Sequence, residues 1–134
     1  MAGIWRSSDA LEVEQYFVAR QQSTGAWGDN RETGEVPDAF ETAFVLLALS
    51  LCNHAAVSHA VEQGVRWLLS AQNEDGSWPS VPILRIPPPT ARDPDRAHQW
   101  RLNSMGTRVI IRDEARLFTT AAVLWALVEW RPKV

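Results

Sequence analysis

Two stretches of this chain carry the same punctuation, and that repetition limits what the chain can fold into. Trp67 and Leu68 are followed by three residues, Gln72, three more residues, and then Gly76, Ser77 and Trp78. Phe17 and Val18 open a second copy that runs through Gln22, Gly25 and Trp27, with Phe for Trp, Val for Leu and one residue fewer between Gln and Gly. A matching apolar segment follows each copy, residues 42–49 after the first and 120–127 after the second, both opening on Thr. The chain reads as two copies of one unit.

The unit has a physical logic. A helix ends near the Gln, a Gly-containing turn reverses the chain, and a Trp plugs the corner before a second helix runs back. The Gln amide can satisfy backbone groups that helix ends leave unpaired. Gly25 and Gly76 can take the positive φ that a helix stop favours. Trp27 and Trp78 are expected to bury their rings over the corners.

At 134 residues the chain suffices for one domain with a single core. Its net charge of -3 and its scattered Lys and Arg argue against a nucleic-acid surface. The segment from Met1 to Ser8 lacks the apolar run of a signal peptide, and the single cysteine, Cys52, cannot close an internal disulfide. A cytoplasmic location is expected. No apolar segment is long enough to span a bilayer, so no transmembrane span is expected.

Along the chain, Asp9 and Glu12 read as a capping box opening a first, amphipathic helix. Pro37 suits the first turn of a second helix, residues 38–52, that is apolar nearly all round and must be buried on most sides. Val57, Val61, Val65, Leu68 and Gln72 form one stripe of a third helix. A fourth, about 112–131, is again apolar on every face. Corner Trp to helix Thr takes 15 positions in the first copy and 42 in the second. The second copy therefore carries a proline-rich insertion of 27 residues, about 81–111, whose first half cannot be helical. Its later part, 98–102 and 107–112, reads as a short hairpin.

The doubled corner resembles the QW motif, the repeat signature of the squalene-hopene cyclase and prenyltransferase superfamily. The resemblance covers residues 9–78 and 112–130. It implies an all-α fold, two QW-type helical hairpins of an α/α toroid, with repeat 1 at about 9–53, repeat 2 at about 54–131 and the Pro-rich insertion in the second repeat. It further implies an apolar, isoprenoid-type ligand in an aromatic-lined cavity, here walled by Phe40, Phe44, Trp100, Phe118 and Trp125.

Class II terpene cyclases open an inner helix on Asp-x-Asp-Asp-Thr-Ala, the middle Asp being the acid. The matching residues here are Asp38, Ala39, Phe40, Glu41, Thr42 and Ala43, so Phe40 stands where the acid is expected. Asp38 and Glu41 read either as a displaced acid pair or as an N-cap with a first-turn Glu. Asp113 and Glu114 are further candidate acids. Asp93 and Asp95 could hold Mg²⁺ on a diphosphate, or form a solvated turn. Arg108, Arg112 and Arg116 recur every four residues and, if helical, could grip a phosphate. Cys52 near His54, with His59 and His98, lacks the arrangement of the zinc site of protein prenyltransferases, and no cofactor is expected beyond Mg²⁺ with a diphosphate substrate.

A closed toroid of that superfamily takes about six hairpins and this chain supplies two. Three copies as a homo-oligomeric trimer, a larger toroid partner, or the insertion folded back as a lid would each cover the inner helices. Two functions follow: a cyclase-like enzyme or subunit, or a non-catalytic binding or protein-interaction module of the same fold.

Overall fold

The computed structural model describes residues 7–28, 36–52, 54–79, 81–93 and 100–131. Within them lie four helices, α1 (Ser7–Val18), α2 (Ala39–Leu49), α3 (His54–Ser70) and α4 (Leu117–Trp130), and three strands, β1 (Pro82–Ile86), β2 (Arg101–Leu102) and β3 (Val109–Arg112).

The two corners are built by one set of hydrogen bonds. Trp27 Nε1 donates to the Phe17 carbonyl at 2.8 Å, and Trp78 Nε1 to the Leu68 carbonyl at 2.7 Å. The indole N–H thus adds a second bond to a carbonyl in the last turn of each outer helix, which also accepts the amide three residues on, that of Arg20 at 3.1 Å and of Ala71 at 3.2 Å. Gln21 Nε2 donates to the Gly25 carbonyl at 2.8 Å, and Gln72 Nε2 to the Gly76 carbonyl at 2.9 Å. The backbone amides of Trp27 and Trp78 donate to the hydroxyls of Thr42 and Thr120 on the returning helices. Gly25 and Gly76 have φ of 91° and 84°, where a Cβ would be strained.

This bonding corrects the alignment of the two copies. Gln21, not Gln22, is the counterpart of Gln72, so Tyr16 and Phe17 match Trp67 and Leu68 and no residue is missing before the Gly. Gln22 has a separate task, donating to the Gly28 carbonyl at 2.9 Å.

The core gathers Leu46 and Leu49 of α2, Val57, Val61 and Leu68 of α3, Val123 and Ala126 of α4, and both corner Trp rings. Gly64 of α3 lets the layers approach: a Cβ there would come within 2.8 Å of the Trp27 ring and 3.2 Å of Leu46. Trp130 Nε1 donates to the Leu46 carbonyl at 2.8 Å, tying the end of α4 to the later half of α2. The charge of Arg112, just before α4, reaches Asp38 at the start of α2. The two inner helices therefore run side by side in the same direction.

An all-α fold is overturned by the insertion. Strands of five, two and four residues form a mixed sheet in the order β1-β3-β2. β1 pairs antiparallel with β3, Leu84 opposite Ile111 and Ile86 opposite Val109, with a bulge between Pro82 and Leu84. The branched residues of Ile83, Ile86 and 109–111 suit a half-buried pleat, and Pro82 is tolerated as the first strand residue. The expected hairpin is also corrected, because β2 runs parallel to β3, Arg101 opposite Val109. Asn103, Gly106 and Arg108, all with positive φ, carry the chain round between them. Four helices with a mixed sheet replace the expected pair of helical hairpins of a toroid.

Helix boundaries shift as well. α1 already includes Ser7, which puts Asp9 in its first turn. Pro37 stays outside α2 because Asp38, extended at φ −126° and ψ 123°, is the cap. β3 consumes residues 109–112, so α4 begins only at Leu117. The arginines at 108, 112 and 116 are thus not on a helix, and the helical phosphate grip fails on geometry. The inner helices are buried on most sides and uncovered on one, as the hairpin count implied: Phe44, Phe118 and Trp125 are 51%, 66% and 62% exposed.

Candidate functional site

The first turns of α2 and α4 meet the end of β3, and most of the candidate polar residues collect there. Asp38 caps α2: its Oδ1 accepts the Glu41 amide at 2.9 Å while its own amide donates to the Trp27 carbonyl. Burial pushes its carboxyl up to about 6, with the Glu41 charge adding; the amides of Glu41 and Phe40 and the charge of Arg112 pull the other way. Gly28 permits this burial, since a Cβ there would strike the Val36 carbonyl at 2.2 Å and the Asp38 amide at 2.9 Å. Glu41 follows one turn on, half-buried.

Asp113 is buried and faces inward, not toward this rim. Its Oδ1 accepts the Leu117 amide at 3.1 Å and its Oδ2 the Thr119 amide at 2.7 Å. Both oxygens therefore cap α4, whose residue Arg116 adopts the left-handed region and gives no side-chain cap. Glu114 is exposed and accepts a hydrogen bond from Asn103 Nδ2, while Asn103 Oδ1 accepts the Arg112 amide at 2.9 Å. Asn103 was not anticipated; its signal in the sequence is the Asn-Ser-Met-Gly turn, where Asn tolerates φ of 43°. Arg112 is exposed at the rim, whereas Arg116 turns away to pair with Asp75 at 3.1 Å. The Ser77 hydroxyl and amide, helped by Arg116, hold Asp75 below the usual carboxylate range.

Beyond the rim lies an apolar face. Phe40 and Phe44 stand one turn apart with ring centroids 4.7 Å apart at 44°. Phe118 and Trp125, two turns apart on α4, project from the neighbouring helix, flanked by exposed Leu117, Leu124 and Val128. Trp100 is half-buried just before β2. Asp93 is exposed, and Asp95 and His98 lie outside the described residues. Among the described residues no group of three His, Cys, Asp or Glu side chains is placed to hold a metal ion. Burial, with Glu14 nearby, pushes the Cys52 thiol up, which disfavours the thiolate a metal would need. No helix among the described residues is long and apolar enough to cross a membrane.

No protein-family model matches the chain. The type II terpene cyclase MstE from Scytonema is 31% identical to it and superposes with a TM-score of 0.74, over 92% of this chain and 39% of that one. A protein from Actinoplanes is 28% identical, with a TM-score of 0.72 over 92% of this chain and 36% of that one. A terpene cyclase-glycosyl transferase fusion protein of Humicola fuscoatra is 41% identical over 61 residues, 45% of this chain and 5% of that protein. Variants of MstE have been solved with geranylgeranyl dihydroxybenzoate as substrate and with merosterolic acid A as product. This chain spans well under half the length of each of these relatives. In fold and in sequence it is terpene cyclase-like.

Proposed function

We propose that this terpene cyclase-like chain takes an isoprenoid chain along the face of α2 and α4, with Asp38 at the rim as its proton-bearing carboxyl. One observation carries the reading: Phe40, Phe44, Phe118 and Trp125 stand on adjacent helices as an aromatic surface of which Phe44, Phe118 and Trp125 are more than half exposed. Large rings left to water are unfavourable unless something apolar covers them, and their π faces suit a polyene that develops positive charge. An acid for an alkene must hold its proton near neutral pH. Asp38, pushed up to about 6, fits better than an ordinary carboxyl. Transfer of the proton from its O–H to a terminal double bond would form a C–H bond from the π pair and leave a tertiary cation beside the rings. The next double bond attacks that cation to close a ring, loss of a proton to water gives the isomer, and water reprotonates the Asp38 carboxylate at the cap.

A second reading is favoured by Phe40, which occupies the position of the middle acid, and by the commitment of Asp38 to capping α2. In that reading the face binds without turnover.

Geranylgeranyl dihydroxybenzoate separates the two. Binding is followed by tryptophan fluorescence, and turnover by chromatography for an isomer of unchanged mass. Cyclised product that Asp38→Asn abolishes while binding persists supports catalysis; binding without product selects the second reading. Phe118→Ala with Trp125→Ala is expected to weaken binding by about tenfold or more. Failure of the unaltered chain to bind would sink both readings.

A further inference from the structure

The insertion carries a charge opposite to that of the chain around it. Residues 81–111 hold five arginines and two aspartates, whereas the whole chain has a net charge of -3. Two of those arginines, Arg101 and Arg108, flank the turn between β2 and β3, are exposed, and pair with no carboxylate among the described residues. The Arg101 guanidinium is folded into the turn instead. Its Nη2 donates to the Met105 carbonyl at 3.1 Å and to the Thr107 carbonyl at 3.0 Å, and its Nη1 to the Ser104 hydroxyl at 3.4 Å. The Arg101 amide donates to the Arg108 carbonyl and the Asn103 amide to the Ile110 carbonyl, which closes the neck. The turn is thus pinned from within, and its shape sends two apolar side chains outward, Leu102 at 61% exposure and Met105 at 90%. No other large apolar side chain among the described residues is as exposed as Met105.

We infer that the turn between β2 and β3 docks on an anionic phospholipid surface, with Leu102 and Met105 entering the apolar layer and Arg101 and Arg108 lying among the phosphates. Charge complementarity decides the occupant. An acidic chain is repelled by an anionic bilayer except where its positive charge is gathered, so the insertion is the part that can approach one, and it fixes the orientation of approach. An apolar groove on a protein would accept Leu102 and Met105 but would leave both arginines without an anion. The backbone of the tip suits the apolar layer as well. The Met105 and Thr107 carbonyls keep their bonds to Arg101 there, where an unpaired carbonyl would be costly. Two apolar side chains with two cations make a reversible anchor, not a permanent one. The inference needs nothing of the ligand reading.

Co-sedimentation with vesicles tests it. The unaltered chain is expected to bind vesicles of phosphatidylglycerol and phosphatidylcholine in equal parts about tenfold or more tightly than phosphatidylcholine alone, and to be released by salt at about 0.5 M. Leu102→Glu with Met105→Glu is expected to abolish that binding, and Arg108→Ala to weaken it about fivefold. Cooperative melting within a few degrees of the unaltered chain establishes that each variant folds. If the double variant does not fold, Met105→Cys in a Cys52→Ser chain is labelled with an environment-sensitive dye. Its emission is expected to shift to the blue on the anionic vesicles, and unshifted emission on vesicles that hold the chain overturns the inference. So does binding that survives Leu102→Glu with Met105→Glu; if Phe118→Ser with Trp125→Ser then removes it, the aromatic face is the contact. Displacement by glycerol phosphate at matched ionic strength would make the turn a site for a free phosphate and overturn the docking surface. Equal binding to the two kinds of vesicle overturns it, as does binding to neither, which would leave an acidic protein as what the turn meets.

Discussion

Asp38 serves two ends that pull against each other. Capping α2 favours its charged form, and burial disfavours it, so the carboxyl holds its proton up to about pH 6 in the folded chain. The folded state then binds more protons than the unfolded state between about pH 4 and 6, so this residue's contribution to stability falls as pH rises through that window. Asn caps a helix as well as Asp and carries no charge. Asp38→Asn is therefore expected to raise stability at pH 7 by about 1–2 kcal/mol, allowing for partial solvent screening, and to change nothing below pH 4. Urea denaturation at the two pH values checks this; equal effects at both would contradict it. Asp113 is buried as well, with both side-chain oxygens accepting backbone amides. Asp113→Ala strips both and is expected to cost about 2–4 kcal/mol, read from the shift in the urea midpoint. Of these two, the sequence pattern made Asp38 legible as a cap because it directly precedes an apolar run. Asp113 lies four residues before its helix and acts across an irregular turn, which no local pattern announces.

At the scale of elements, closeness between the layers depends on Gly64, which no side chain can replace without moving Trp27 or Leu46. Gly64→Ala is expected to gain helix propensity yet lower stability by about 1–3 kcal/mol through overpacking, measured as a fall in melting temperature. A rise instead would show that the layers can part at no cost. The four helices were readable because apolar spacing, the two glycines and the two corner Trp residues agree with one another. The sheet was legible only in part: the two segments read as a hairpin hold β2 and β3, but their parallel pairing and the addition of β1, with residues as distant as Leu84 and Ile111 opposite each other, leave no local period. The one-residue slip in the first corner had a similar source. Gln21 and Gln22 are adjacent, and only the carbonyl that each one reaches tells them apart.

For the molecule as a whole, the exposed aromatic face predicts that an apolar dye binds the native chain. Phe118→Ser with Trp125→Ser is expected to lower the fluorescence of bound anilinonaphthalene sulfonate severalfold while leaving the melting temperature within a few degrees, since both rings stand in solvent. A large fall in melting temperature would mean that the rings support the core. Both the aromatic content of this face and its exposure were legible in the sequence, because two hairpins out of about six leave one side of each inner helix uncovered. What covers that side was not, since an all-round apolar helix reads as buried whether the neighbour that covers it belongs to its own chain or not.

The Asp113 amide donates to the Val81 carbonyl at 3.0 Å, so the strands of the insertion leave the helices and return to them at one backbone pair. A side branch closed at its stem adds nothing to the distance that the helical scaffold must bridge, and lengthening it carries only a slowly growing entropic cost. Variation within the branch is thereby uncoupled from the foldability of the trunk. New contacts can be tried, kept or discarded at the mouth of the aromatic face while the corners beneath it stay as they are.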